Sequence, residues 1–306
     1  MHPSTLPGRL ALPVFALALL LPGCSIRKLA INKVADAFAE TGTSFASDED
    51  DELVGEAVPF GLKTMEGLLQ ETPRHRGLLL AASSGFVQYA YGWVQLRADV
   101  IEERDLARST ELRARARKLY VRARDYGLRG LEVDFPGLRE ALARDPKAAL
   151  TKTKKQHVPL LYWTAMGWAG TMALKVNDSE VSADQPIVAA LAHRALDLDP
   201  CWGLGSIHEF FVSWEAGRSS IGGSIERARE HFLKDLACAG GRRAFPYVTF
   251  AESVSVARQD KEQFKELMEQ ALAIDVSRPD DQRLANVLAQ KRARWQLGRL
   301  DELFIE

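Results

Sequence analysis

The chain has 306 residues, 46% hydrophobic and 26% charged, a balance that excludes a disordered, collagen-like or multi-pass membrane protein. Its 40 Lys+Arg against 41 Asp+Glu leave a net charge of -1, so no global basic field is present to hold nucleic acid. Three cysteines are too few for a disulfide-built scaffold.

The first element is an export signal. Arg9 precedes an apolar run from Leu10 to Leu21, and Leu21-Pro22-Gly23-Cys24 follows. The run is about 12 residues, short of the ~20 that a helix needs to cross a bilayer. The four residues resemble a lipobox with Pro22 in an unusual third position, so residues 1–23 are expected to be removed and Cys24 acylated. Several acyl chains on one residue anchor a protein lastingly without a span. Ser25, where an Asp would favour inner-membrane retention, points to the outer membrane, with the body facing the periplasm.

Residues 24–55 read as anchor, N-terminal helix and acidic connector. Ile26, Leu29, Ala30, Val34, Ala37 and Phe38 follow the amphipathic helical rhythm, and the mixed charges opposite them favour docking on the body over lying on lipid. The stretch TGTSFASDEDDELVG is a solvated connector leading to a helix start. It lacks the alternating oxygens and central Gly of an EF-hand loop.

Residues 56–306 read as one all-α array of antiparallel helix pairs. Phe86, Tyr89, Ala90, Trp93 and Leu96 form one helical stripe, and Ala285, Leu288, Ala289, Ala293, Leu297 and Leu300 form another. Breaks fall at Thr72-Pro73, Asp134-Phe135-Pro136, Asp145-Pro146, at Asp184-Gln185-Pro186 opening a helix, and at Gly222-Gly223-Ser224. A tetratricopeptide unit carries small, aromatic and small residues at i, i+4 and i+7 of its second helix, with Pro five residues later. Ala116, Tyr120 and Ala123 match; so do Val188, Ala192, Ala195 and Pro200 in spacing, Ala228 and Phe232 with Asp235 breaking the third position, and Phe264, Met268 and Ala271 in degenerate form. Third positions 123, 195, 235 and 271 are separated by 72, 40 and 36 residues, close to two, one and one units. The apolar segment Leu160 to Val176 reads as a central buried helix, with Gly167 and Gly170 allowing close approach.

Chemistry is sparse. His208-Glu209 lacks the second His of a zinc-protease helix, Gly203-Leu204-Gly205 lacks the rest of a nucleotide loop, and no G-x-S-x-G elbow occurs, so an enzyme is not expected and no cofactor is implied. Cys201 and Cys238 lie about one repeat apart. Helix axes ~8–10 Å apart favour two separate thiols, with a disulfide open because Cys201 sits in a turn. The Arg-rich helix from Arg104 to Arg129, interleaved with Glu111 and Asp125, reads as a solvated face, with docking of an acidic partner as its functional alternative. Trp163, Trp168, Trp202, Trp214, Trp295, Tyr89, Tyr91 and Tyr162 read chiefly as packing, some of them as lining a groove on the concave face. Tyr162, Trp163, His157, His208, Glu209, Asn286 and Arg292 are the candidate ligand-binding or pore-lining residues.

Four stretches, residues 52–95, PLLYWTAMGWAG at 159–170, RALDLDPCWGLGSIHEF at 194–210 and RLANVLAQKRARWQLGRLDELF at 283–304, stand behind the lipobox cysteine. Together they resemble the TatT lipoproteins, the T component associated with TRAP transporters. The resemblance implies a periplasmic lipoprotein with concealed TPR-like repeats, assembled as a homotrimer with a TRAP-type substrate-binding subunit, and a pore or cavity passing hydrophobic or carboxylate-bearing molecules. The other reading is a general envelope scaffold that binds polypeptides in outer-membrane or cell-wall assembly.

Overall fold

The computed structural model describes residues 31–38, 42–174 and 180–305. The signal segment and Cys24 lie outside them. Every regular element among the described residues is helical. The principal helices are α1 (Asp51–Glu71), α2 (Arg76–Tyr89), α3 (Leu106–Glu132), α4 (Val158–Ala173), α5 (Glu180–Leu198), α6 (Ser206–Ala216), α7 (Ile225–Ala239), α8 (Phe245–Phe250), α9 (Lys261–Leu272) and α10 (Arg283–Leu297). Local chemistry starts them: Asp50, Asp105, Ser224 and Asp260 each accept a hydrogen bond from the backbone N–H three residues on, satisfying a donor that the helix leaves open.

Helix α2 runs through a π-helical turn, Ala90–Gln95, into Leu96–Ile101 and pairs with α3. Helices α4 and α5, α6 and α7, and α8 and α9 form the next pairs, and α1 and α10 flank the array. All four triads lie on second helices, and each residue of them is buried, from Ala116, Tyr120 and Ala123 to Phe264, Met268 and Ala271. The spacing has a steric cause. Cβ atoms added to Gly167 and Gly170 would stand 3.1 Å from the Ala123 Cβ and 2.6 Å from the Tyr120 ring, so α4 seats on α3 only because these positions are bare.

Several expectations change. The 72-residue interval holds one full helix pair plus the short helices Leu138–Arg144 and Pro146–Ala149, not two repeats. Pro186 lies inside α5 instead of opening it. In the N-terminal helix, residues 31–38, docking is borne out by Ala35, fully buried, and by Asp36 paired with His75 at 3.2 Å. Its phase differs, because Val34 and Ala37 face outward. Cys201 and Cys238 form a disulfide with Cα atoms 5.3 Å apart, which overturns the separate-thiol reading. The reason is local. Cys201 leads into a short turn, Trp202–Gly205, where Gly203, Leu204 and Gly205 take φ of 59°, 56° and 100°, and this left-handed run delivers the cysteine to α7 off the helix-to-helix spacing.

The array closes on itself. Helix α10 packs against Gly42–Ala46 and α1. Ion pairs line the seam: Arg283 with Glu49, Lys291 with Asp51 at 2.5 Å, Arg292 with Asp99 at 3.1 Å and Arg299 with Glu103 at 2.7 Å. The acidic connector thus supplies carboxylates to the last helix. No helix among the described residues is long and apolar enough to cross a membrane.

Candidate functional site

Where the two ends of the array meet, a cavity of about 350 Å³ opens. Phe45, Val54, Val58, Leu62 and Met65 form one wall, Leu80 and Tyr89 a second, and Trp93, Trp163, Trp202 and Leu284 complete it. No carboxylate, amine, guanidinium or imidazole lines it among the described residues; its polar groups are Ser84, Gln88, the Tyr89 hydroxyl, which accepts from Arg115 at 3.2 Å, and the tryptophan indoles, of which Trp93 already gives its N–H to the Asp51 carbonyl at 2.7 Å. Such a lining binds by excluding water from an apolar group, with hydroxyl and amide groups to set orientation. A Cβ at Gly61 would meet nothing within 4 Å, so this glycine leaves cavity volume unfilled. A wider groove, lined by Asp145, Lys147, His193 and Arg194, has Arg194 committed to Thr151 and Thr153. It offers weaker chemistry.

Behind the cavity wall lies a polar interior. Tyr162 packs on Trp163 and Trp202 at 4.9 and 4.8 Å between ring centroids. Its hydroxyl pKa is raised by burial and by the charge of Glu209. Arg243 donates to Asp235 at 2.8 Å and to Glu209, which also accepts from Thr249 at 3.1 Å. Burial opposes the Arg243 charge, and Glu209 and Asp235 more than offset that effect. Asp235 is fully buried, and burial with the nearby Glu209 pushes its pKa upward against the pull of Arg243. A parallel cluster sits at the seam: Arg292 donates to Glu252 at 2.6 Å and Asp99 at 3.1 Å, and Gln296 donates to Glu252. Tyr91 stands in the field of Glu252, Arg292, Glu209 and Asp99, its pKa raised first by burial. Tyr91 and Glu252 come from the two π-helical turns, Ala90–Gln95 and Ala251–Ser255. The wider turn is a common device for re-aiming side chains at functional sites.

Of the sequence candidates, Trp163 lines the cavity, Tyr162 backs it, and Glu209 and Arg292 belong to the two arginine–carboxylate clusters. His208 stands off the cavity lining, its Nδ1 2.8 Å from the His231 Nδ1. His157 is buried beneath α4, bonded to Lys154 and Asp134. Asn286 ties the Ala244 N–H and the Arg242 carbonyl together. Sequence reasoning missed Arg243, Glu252 and Asp99. One signal was present: an acid at position 235, where the repeat demands a small residue, implies a buried cationic partner.

The sequence pattern of a known family, described as TRAP transporter T-component, matches residues 47–304. A protein of Treponema pallidum (strain Nichols), itself described as uncharacterized, is 29% identical over 324 aligned positions covering 100% of this chain and 99% of its own.

Proposed function

The chain belongs to the TRAP transporter T-component family, and on that premise we propose that it docks a TRAP-type substrate-binding subunit and assists uptake of a small hydrophobic or carboxylate-bearing molecule. The observation that carries this reading is the family match across nearly the whole helical body, with the apolar cavity as its physical counterpart. In this reading the cavity takes the hydrophobic part of the ligand. A carboxylate stays at the mouth, because Arg243 and Arg292 are each already shared between two carboxylates. Acylation at Cys24 holds the body on the periplasmic face of the outer membrane. The protein works as a homotrimer without cofactor, and of the residues singled out in the sequence Trp163, with Tyr162 behind it, is the candidate ligand contact, while His157, His208, Glu209, Asn286 and Arg292 hold the surrounding structure. The disulfide supports an envelope location, since such bonds persist in oxidising compartments.

In-cell crosslinking of the full-length protein, recovery through a C-terminal tag and mass spectrometry test the partner. A TRAP-type substrate-binding subunit is expected, and deleting the gene should abolish uptake while leaving that subunit's level unchanged. Recovery of cell-wall or outer-membrane assembly proteins alone would overturn the proposal.

A further inference from the structure

Helix α3 carries Arg108, Arg115, Arg122 and Arg129 at intervals of seven residues. Seven residues are close to two turns, so the four stand on one face at a rise of about 10.5 Å each. Three of the guanidinium groups are held over rings: Arg115 over Tyr89 at 5.6 Å, Arg122 over Phe86 at 5.6 Å and Arg129 over Tyr126 at 5.1 Å. Stacking of this kind fixes the plane of the fork and lowers the entropy lost when it binds.

The face carries a surplus of positive charge. Arg108 is paired with Glu111 at 2.7 Å. Arg122 stands 3.6 Å from Glu66, which is held more closely by Lys63 at 2.5 Å. Arg115 meets the Tyr89 hydroxyl and Arg129 the Pro73 carbonyl, neither of them a carboxylate. Asp125 is shared by Arg124 and Arg139. In a chain of net charge -1 this ladder is a local departure, and exposed Ala107 and Ala114, each one residue before a rung, leave room beside it for a partner to approach.

We infer that this face of α3 is a docking surface for an acidic protein partner, whose carboxylates pair with the ordered guanidinium forks. The inference rests on the reading of the chain as a partner-docking component and adds the surface and the partner's charge. A protein is favoured over a lipid surface on two grounds. Glu111 and Asp125 interrupt the ladder and so reward a matched spacing, whereas a bilayer rewards summed charge. The exposed positions from Ala107 to Arg122 also carry no large apolar side chain to enter a membrane interface, and Leu106, exposed at the first turn of α3, stands two residues from Arg108 and so on the opposite side of the helix.

The test is photo-crosslinking in cells from Ala114 of the full-length protein, with Glu230, exposed on α7, as the off-face control, and sequencing of the joined peptide. The expected result is one protein joined at Ala114 and not at Glu230, through a segment rich in Asp and Glu. Its yield should fall at least about tenfold when Arg115→Glu and Lys118→Glu are combined, and recover when two carboxylates of the joined segment are changed to Lys. A thermal melt confirms that the double variant folds. Joining to lipid, no joining at Ala114, or equal yields from wild type and double variant would overturn the inference. If a TRAP-type subunit is recovered equally with wild type and double variant, the ladder fails and the proposed function stands. If the charge-dependent partner is another acidic protein and no TRAP-type subunit is recovered, the ladder stands and the proposed function falls.

Discussion

Glycines at two positions separate cavity from core. Gly61 has open space where a Cβ would project, while one at Gly127 would lie 2.2 Å from the Thr164 Oγ1 and 2.9 Å from the Ser83 Oγ. Gly61→Phe is therefore expected to fill the cavity and weaken binding of the neutral apolar dye Nile red at least about tenfold, about 1.4 kcal/mol, without lowering the melting temperature. Unchanged dye affinity would remove the cavity as the apolar site. Gly127→Ala should cost about 1–3 kcal/mol by overpacking, read as a shifted urea midpoint.

The His208–His231 pair gives the same scale a pH dependence. Burial lowers both pKa values to about 4, aided at His208 by the charges of His231 and Lys234, and at His231 by Lys234, His193 and Arg227 against the opposing charge of Glu215. The unfolded chain takes up protons near the ordinary value of ~6.5. The folded state binds fewer protons, so stability is full above about 6.5, is lost as pH falls toward 4, and has no further loss from this pair below that. Urea midpoints measured across this window should fall in the wild type and fall less in His231→Gln. Parallel curves would show that the pair does not titrate there.

At the scale of elements, the disulfide and the seam do different work. Cys201–Cys238 spans a sequence separation of 37 and pins the turn that presents Trp202 to the cavity. Replacing both with Ser should destabilise the protein by about 3–4 kcal/mol, the loop-entropy expectation for that length, and reductant should lower the wild-type melting temperature to match. At the seam, Arg292→Ala removes the one cationic partner of Glu252 among the described residues, leaving it Gln296 alone, and takes from Asp99 one of its two arginines, Arg113 remaining at 3.0 Å. A cost of about 3 kcal/mol is expected, with faster hydrogen exchange in α10 and α1 before the central helices change. Uniform exchange throughout would mean that the seam does not open separately.

At the scale of the whole molecule, helices and their pairing phase were legible in the sequence because both are local. The Ala116/Tyr120/Ala123 spacing and the bare Gly167 and Gly170 encode the close approach of α3 and α4 within one chain segment. The π-helical turn at Ala90–Gln95 was not, since its stripe satisfies an α-helical period equally well. The site was legible only in part: aromatic Trp163 and Trp202 stood out, whereas aliphatic Val54, Val58 and Leu284 look like any core residue until the fold leaves space beside them.

By itself, then, the sequence determined the all-helical class, the phase of the repeats and the family. Tertiary structure alone decided the disulfide, the cavity and the arginine–carboxylate clusters. The reason is distance along the chain. Arg292 and Asp99 are 193 residues apart and Lys291 and Asp51 are 240 apart, and such partners are chosen by the curvature accumulated over every intervening helix pair.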